Sequence, residues 1–214
     1  MALALFDLDN TLINGDSDYT WGLYLTEINI VNAEQHKASQ DRFYQEYVDG
    51  ILDINEFLEF QLTPLKENSL EELFSWREEF IEKKIKPLIH NDKIDLVQKH
   101  REAGDELVII TATNSFITAP IADLFGIKTL IATEPEQDSQ GFTGKISGSP
   151  CFQAGKITKL NKWLVDSQET MQGSWFYSDS YNDLPLLLEV DYPVCVSPDK
   201  KLAEHAKANN WPII

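Results

Sequence analysis

The sequence has few cysteines and few cations, and each shortage excludes a class of protein. Two cysteines in 214 residues, with no CxxC spacing, exclude a disulfide-dense scaffold and a cysteine zinc site. The 18 Lys and Arg residues against 35 Asp and Glu give a net charge of −17. Such a field repels a nucleic-acid backbone or an anionic membrane surface. We therefore expect no nucleic-acid partner and no membrane partner.

Signals for export and for membrane insertion are also missing. The first six residues contain no Lys or Arg, and Asp7 and Asp9 follow at once, so this start lacks the charged region and the length of a signal peptide. No apolar run approaches the roughly 20 residues that cross a bilayer. We expect a cytoplasmic protein with Cys151 and Cys195 as free thiols, and either a monomer or a homodimer.

Short apolar runs alternate with helical patterns along most of the chain. The runs that suit buried strands are residues 2–6, 106–110, 174–177 and 192–196. The helical patterns between them cover residues 91–103, 116–125 and 157–165. This alternation predicts an α/β fold with a Rossmann-like parallel sheet covered by helices on both faces. Ligands of such sheets bind at the carboxyl ends of the strands.

One long segment interrupts the alternation. Amphipathic helical patterns cover residues 21–30, 42–47, 54–62 and 70–85, and the stretch from 13 to 90 contains sixteen acidic and seven basic residues. We predict a helical insertion between the first and second strands, with a core formed by residues 1–15 and 90–214 and the insertion by residues 16–89. Residues 134–150 are rich in Gly, Ser and Gln and predict a small hairpin or loop.

Acidic residues follow two of the predicted strands. Asp7 and Asp9 come after the first run, and Asp179 and Asp183 come after the third. Clustered carboxylates suit a hard cation such as Mg²⁺, which keeps water and phosphate oxygens among its ligands.

Other polar groups lie in positions that suit phosphate. Lys156 follows Gly155 at the start of a helical pattern, and Thr111 follows the second strand; an ammonium group, a hydroxyl and nearby backbone N–H groups can all bind phosphate oxygens. Together with the carboxylates they predict phosphoryl transfer, in which one carboxylate attacks phosphorus and a second acts as acid and base.

At these positions the sequence resembles the haloacid dehalogenase superfamily. Asp7-Leu8-Asp9-Asn10-Thr11 matches its DxDxT first motif, Thr111 its second motif, Lys156 its third, and residues 179–183 its acidic fourth. The helical insertion is similar to the C1 cap of this superfamily. The resemblance therefore covers nearly the whole chain, and it extends to the branch described as phosphoserine-phosphatase-like or histidinol-phosphatase-like (subfamily IB).

The resemblance implies a role for each motif residue. Asp7 is expected as the nucleophile and Asp9 as the acid and base. The expected Mg²⁺ ligands are Asp7, the Asp9 carbonyl and Asp179, with Asp183 orienting the metal shell. The expected phosphate-binding residues are Thr111, Ala112 and Lys156.

Several of these residues also have structural alternatives. Asp179 and Asp183 suit a turn before a helix, Lys156 suits an exposed face, and Thr111 suits a strand end. In the insertion, the candidates for substrate contacts are Asp16, Asp18, Trp21 and Arg42. Either Asp16 or Asp18 can equally be the N-cap of the helix that begins near residue 19.

Departures from true phosphoserine phosphatases bear on the substrate. Phosphoserine phosphatases have a Ser-Gly-Gly second motif and a Glu soon after the first motif. This chain has Thr111-Ala112-Thr113 as its second motif, and the acidic residues after its first motif are Asp16 and Asp18. The acidic insertion favours a small amino-alcohol phosphate without a carboxylate, with histidinol phosphate as the first choice. Phosphoserine, a phosphotransferase or mutase reaction, and a non-catalytic acidic binding module are the alternatives.

Overall fold

A five-stranded parallel sheet forms the centre of the computed structural model, which describes residues 2–214. The strands in chain order are β1 (Leu3–Phe6), β2 (Glu106–Asn114), β3 (Thr129–Thr133), β4 (Pro135–Asp138), β5 (Gly141–Ile146), β6 (Trp175–Ser178) and β7 (Tyr192–Cys195). The main sheet has the order β3-β2-β1-β6-β7, and β4 pairs with β5 as a separate antiparallel hairpin. In the central strand, Leu5 pairs with Val108 on one side and Phe176 on the other. Because all five strands of the main sheet are parallel, their carboxyl ends lie at the same edge of the sheet.

The helices surround this sheet. They are α1 (Ser17–Glu27), α2 (Ala33–Asp49), α3 (Ile54–Glu67), α4 (Leu70–Phe80), α5 (Asn91–Ala103), α6 (Ser115–Leu124), α7 (Ala154–Ser167), α8 (Leu184–Leu187) and α9 (Lys200–Asn209). A π-helical turn, Ile81–Ile85, and a 3₁₀ turn, Lys86–Leu88, continue α4. Local chemistry explains the boundaries: Ser69 and Glu72 form a capping box at α4, and Gly50 and Gly104 end α2 and α5 in the left-handed conformation.

Alternate residues of the central strand face two hydrophobic cores. Ala4 and Phe6 pack with side chains of α1, α4 and α6 on one face of the sheet. Leu3 and Leu5 pack with side chains of α7, α8 and α9 on the other. All four side chains are fully buried. This two-sided burial explains the continuous apolar run at residues 2–6 and confirms the predicted α/β fold.

The chain between β1 and β2 is helical, as predicted: it supplies α1 to α4 in the segment of the predicted insertion, followed by α5. The predicted hairpin at residues 134–150 is also present, and it packs against α3: a Cβ added at Gly144 would lie 2.9 Å from Lys66. Among residues 2–214, no helix has the length and apolar character needed to cross a bilayer. The division into a core of residues 1–15 and 90–214 and a cap of residues 16–89 remains a prediction.

Some element boundaries differ from the expectation. Strand β2 continues through Thr111 to Asn114, beyond the predicted strand end at residue 110, because Asn114 is the N-cap of α6 and the strand passes directly into that helix. The edge strand β3 was not predicted, since its five residues alternate polar and apolar only weakly. Helix α2 is 17 residues long, where only residues 42–47 were expected, because polar residues cover most of its surface.

Candidate active site

The first acidic residues lie where β1 ends. The Asp7 backbone N–H donates to the Tyr177 carbonyl at 2.9 Å and so continues the sheet by one residue. The chain then turns sharply, because the N–H groups of Leu12 and Ile13 both donate to the Leu8 carbonyl. Asn10 takes the left-handed conformation, with φ of 54°, which Asn tolerates better than most residues. Asp7 and Asp9 consequently line the same cavity at the carboxyl edge of the sheet.

A single lysine connects this turn to the loop that follows β6. Lys156 is 2% exposed, and its Nζ donates to Asp7 Oδ1 and to Asp183 Oδ2, each at 2.7 Å. Asp183 Oδ2 also accepts from the Ser178 hydroxyl at 2.7 Å. Gly155 allows α7 to begin here, since a Cβ at that residue would lie 2.2 Å from the Pro150 carbonyl oxygen. The glycine before the lysine is therefore a packing requirement.

The second carboxylate of the first motif is bound at both oxygens. Asp9 Oδ1 accepts from the Ser17 backbone N–H at 2.6 Å, and Oδ2 accepts from the Thr113 hydroxyl at 2.8 Å. The Thr111 hydroxyl in turn accepts from the Thr113 backbone N–H at 3.2 Å. These bonds hold Asp9 between the start of α1 and the end of β2.

Negative charge exceeds positive charge in the buried part of the site. Burial raises the pKa of Asp7 to about 7, with Asp183 and Asp9 adding to the rise and Lys156 opposing it. Burial, Asp7 and Asp183 raise the pKa of Asp179 well above its usual value. Burial opposes the charge on Lys156, but Asp183 and Asp7 outweigh it and raise the lysine pKa. The lysine therefore stays charged, and its single charge does not balance the carboxylates.

This excess of carboxylate oxygen fits a hard divalent cation. Among residues 2–214, no three His, Cys, Asp or Glu side chains converge as a ligand set. A metal here would thus take one or two carboxylates together with backbone and solvent oxygens, which is the usual coordination of Mg²⁺ and differs from that of zinc.

The cavity above these residues has a volume of about 140 Å³. Helix α2 forms one wall through Gln40, Phe43, Tyr44 and Tyr47, which share one helix face because they are three and four residues apart. The remaining apolar walls come from the following residues: Leu52, Ile54, Phe57 and Phe152. The cavity therefore combines an acidic floor with aromatic walls.

The protein-family model described as haloacid dehalogenase-like hydrolase matches residues 4–188 of this sequence. The chain belongs to this family. The histidinol-phosphatase of Neisseria meningitidis serogroup C (strain 8013) is 47% identical over 216 residues, which cover 99% of this chain and 97% of that protein. This confirms the superfamily predicted from the four motifs and, with it, the prediction of an enzyme of this class.

Solved structures of this family share the fold. A protein of unknown function from Bordetella pertussis Tohama I has a TM-score of 0.93 and 40% identity, with 100% of this chain and 97% of that chain covered. The phospho-aspartyl intermediate analogue of a phosphoserine phosphatase has a TM-score of 0.72 at 16% identity, with 99% and 91% covered. At that identity the second likeness concerns the fold alone.

The structure brings most of the sequence-predicted residues of this hydrolase to one cavity. They are Asp7, Asp9, Thr111, Ala112, Lys156, Asp179 and Asp183 from the motifs, and Asp16 and Asp18 from the insertion. The N-cap alternative holds for Asp16, whose carboxylate accepts from the Tyr19 backbone N–H at 2.9 Å.

Two predicted residues lie elsewhere. Trp21 is 1% exposed and packs edge-on against Phe80 and Phe116, because its position on α1 faces the hydrophobic core. Arg42 is exposed and pairs with Glu46 and Glu56, because it lies on the opposite side of α2 from the cavity. The structure does not meet the expectation that Trp21 and Arg42 contact the substrate.

Sequence reasoning missed the contribution of α2 and of Thr113. The spacing of residues 40, 43, 44 and 47 was a usable signal, since it describes one face of a helix. No local signal indicated that this face covers the first motif. Thr113 stands next to a motif residue, but its bond to Asp9 spans 104 residues of sequence and depends on the sheet.

Proposed function

We propose that the protein is a Mg²⁺-dependent phosphomonoesterase that acts on a small phosphorylated metabolite through an aspartyl-phosphate. The observation that carries this proposal is the position of Asp7, a buried carboxylate bound by Lys156 at 2.7 Å on the floor of a cavity that Asp9 also lines. A nucleophile, a second carboxylate and a fixed positive charge are the groups that such a reaction requires.

The first step forms the phosphorylated enzyme. Lys156 holds Asp7 Oδ1, and the other oxygen, Oδ2, attacks phosphorus as the bond from phosphorus to the ester oxygen breaks. The leaving oxygen takes a proton from Asp9. Burial raises the pKa of Asp9, and a raised pKa favours the protonated form that an acid in this step requires.

The second step releases phosphate. Asp9, now a carboxylate, removes a proton from a water molecule whose oxygen attacks phosphorus. The bond between phosphorus and Asp7 Oδ2 breaks, which regenerates the Asp7 carboxylate and yields inorganic phosphate. Thr111, Ala112 and Lys156 line the cavity and are proposed to bind the phosphate oxygens in both steps.

The proposed Mg²⁺ ligands are the carboxylates of Asp7 and Asp179 and the Asp9 carbonyl. When bound, the ion would neutralise charge on the phosphoryl group. Asp183 keeps Lys156 in place through the 2.7 Å bond and supports the metal shell. The helical segment of residues 16–89 acts as a cap that excludes water from the core of residues 1–15 and 90–214. A cytoplasmic location is part of the same proposal.

The charge of the cavity supports a cationic substrate. Its charged lining consists of six aspartates and one lysine, and Lys156 is already bound to Asp7 and Asp183. A carboxylate on the substrate, as in phosphoserine, would meet no free cation on this lining. We therefore propose histidinol phosphate as the substrate, in agreement with the name of the Neisseria relative.

A substrate panel tests this function. Histidinol phosphate, phosphoserine and phenyl phosphate are compared at equal concentration with Mg²⁺ and with EDTA, and released phosphate is measured. We expect Mg²⁺-dependent release, histidinol phosphate as the best substrate, and no release by Asp7→Asn. The matched control is Asp166→Asn, which removes an exposed carboxylate on α7.

Two outcomes would contradict the proposal in different ways. Full turnover by Asp7→Asn would overturn the mechanism, and a preference for phosphoserine would overturn the substrate assignment. Transfer of phosphate only to an added alcohol would instead indicate the phosphotransferase alternative.

A further inference from the structure

We infer that Thr113 is a positioning residue for Asp9, and that its hydroxyl makes Oδ2 the oxygen of Asp9 that exchanges the proton. This inference rests on the proposed phosphatase function and adds a residue to it. Thr113 lines the cavity that contains Asp7 and Lys156, and its hydroxyl donates to Asp9 Oδ2 at 2.8 Å. The Ser-Gly-Gly motif of phosphoserine phosphatases has glycine at the third position, so this contact is not part of that pattern.

The two partners of Asp9 differ in the hydrogen bonds that they can form. Oδ1 accepts from the Ser17 backbone N–H at 2.6 Å, and because an N–H group only donates, this oxygen has to stay without a proton. A hydroxyl rotates and can either donate or accept. Thr113 can therefore donate to Oδ2 of the carboxylate and accept from Oδ2 of the acid, so Oδ2 is the oxygen that suits both states.

Both proposed steps use this oxygen. In the first step the Oδ2–H bond of Asp9 breaks, the proton passes to the leaving oxygen, and the lone pair that remains accepts from the Thr113 hydroxyl. In the second step Oδ2 takes a proton from the attacking water molecule, and the new O–H bond no longer needs the hydroxyl as a donor. The same side chain thus holds Asp9 before and after each proton transfer.

The backbone at the end of β2 places Thr113 beside Asp9. The pairing of β2 with β3 is irregular between residues 110 and 114, and such bulges turn side chains in new directions next to active sites. The Thr133 hydroxyl, which comes from β3, donates to the Ala112 carbonyl at 2.8 Å. This bond fixes the irregular segment to the neighbouring strand, so the hydroxyl of Thr113 starts from a rigid element.

A structural threonine of the same segment shows the contrast. Thr118 is fully buried, and its hydroxyl donates to the Asn114 carbonyl at 3.0 Å within one turn of α6. The hydroxyl of Thr113 instead binds a carboxylate that is 104 residues away in the sequence. Thr118→Val is therefore a matched control, because it removes a buried hydroxyl that lies outside the cavity.

The test compares two esters that differ in their need for a proton. The alkoxide of histidinol phosphate has to be protonated as it leaves, whereas the phenolate of 4-nitrophenyl phosphate leaves without a proton. In Thr113→Val we expect kcat/KM for histidinol phosphate to fall about tenfold to a hundredfold, as for the loss of a hydrogen bond to a charged group, and kcat/KM for the aryl ester to change little. Thr113→Ala should behave in the same way, and Thr113→Ser, which keeps the hydroxyl, should restore the rate.

Rapid mixing with 4-nitrophenyl phosphate reports the second step by absorbance. In Thr113→Val the aspartyl-phosphate should form at nearly the usual rate and be hydrolysed about tenfold or more slowly, which gives a burst of about one nitrophenol per active site before a slow steady rate. Thr118→Val should show the steady rate of the unaltered protein. An equal fall of kcat/KM for both esters without a burst would overturn the inference, while the unaltered protein would still release phosphate as proposed.

Crystal structures of the variants are independent of turnover. We expect the Asp9 carboxylate to rotate away from β2 in Thr113→Val and to keep its position in Thr113→Ser, and circular dichroism checks that both variants are folded. An unmoved Asp9 carboxylate in Thr113→Val would overturn the inference. If the unaltered protein released phosphate from neither ester, the proposed function would fail together with the role of Thr113 in it, whereas the crystal structures would still show whether Thr113 holds Asp9.

Discussion

At the scale of single residues, Lys156 determines whether the acidic site can exist in the folded protein. Its ammonium group lies 2.7 Å from Asp7 and 2.7 Å from Asp183, and all three side chains are buried. Removing one partner of a buried ion pair leaves uncompensated charge, which is costlier than the pair was worth.

We predict that Lys156→Met lowers the free energy of unfolding by about 3–5 kcal/mol. Urea denaturation of the metal-free protein measures this change. Lys162→Met, on the exposed side of the same helix, should change stability by less than about 0.5 kcal/mol. Equal effects of the two substitutions would contradict a special role for Lys156.

Asp9 is the residue to which we assign acid and base catalysis, and its substitution tests that role. An amide at this position can still accept from Ser17 but cannot exchange the proton, so Asp9→Asn should lower kcat by about 10²–10⁴-fold. Steady-state kinetics should show a smaller loss in the first step for phenyl phosphate, whose leaving oxygen needs less protonation. A variant as active as Asp166→Asn would rule out acid and base catalysis by Asp9.

At the scale of elements, the end of α2 contacts both the loop that follows β6 and the start of α9. The Tyr47 hydroxyl lies 2.6 Å from Ser180 Oγ, the Asn182 amide donates to the Tyr47 carbonyl at 3.5 Å, and Lys201 Nζ donates to the Val48 carbonyl at 3.0 Å. Ser180 follows Asp179, so these contacts join a wall of the cavity directly to the acidic fourth motif.

We predict that Tyr47→Phe weakens this junction by about 1 kcal/mol. Hydrogen exchange should become about fivefold faster at residues 44–50, since opening of the helix end no longer breaks the hydroxyl bond. Tyr44→Phe is the control on the same helix, where the side chain is 62% exposed. Unchanged exchange in Tyr47→Phe would show that the other contacts suffice.

At the scale of the whole molecule, a buried network joins the first strand, α5 and β6. His100 binds Asp105 at 2.9 Å and the Tyr177 hydroxyl at 2.7 Å. Burial opposes the ionisation of Asp105, but hydrogen bonds from His100 and from the Ala2 backbone N–H outweigh it and lower the pKa of Asp105.

The lowered pKa of Asp105 predicts an acid-sensitive contribution to stability. Because the folded-state pKa lies below the unfolded value of about 3.9, the contribution is present above that value and is lost as pH falls through the folded pKa. Asp105→Asn should therefore destabilise the protein by about 1–3 kcal/mol at pH 6.5 and by much less at pH 2.5. Urea denaturation at both pH values checks this; a constant difference would contradict it.

Much of the fold could be read from local patterns. Apolar runs too short for helices indicated four of the five strands of the main sheet, and three- and four-residue spacing indicated the helices between them. The short edge strand β3 and the length of α2 could not be predicted, because weakly alternating or largely polar segments acquire their structure from neighbours. In the site, Asp7, Asp9, Lys156 and Asp179 could be named from their motifs, whereas Tyr47 and Gln40 could not.

The sequence by itself determined that acidic groups follow buried strands. Because a parallel sheet places the carboxyl ends of all its strands at one edge, these groups were expected to lie at that edge. It also determined the excess of negative charge. Only the tertiary structure decided which aspartates are occupied: Asp16 caps a helix, Asp9 binds Ser17 and Thr113, and Asp18 retains a free oxygen. Those differences arise from contacts between residues far apart in the chain, and local periodicity carries no information about them.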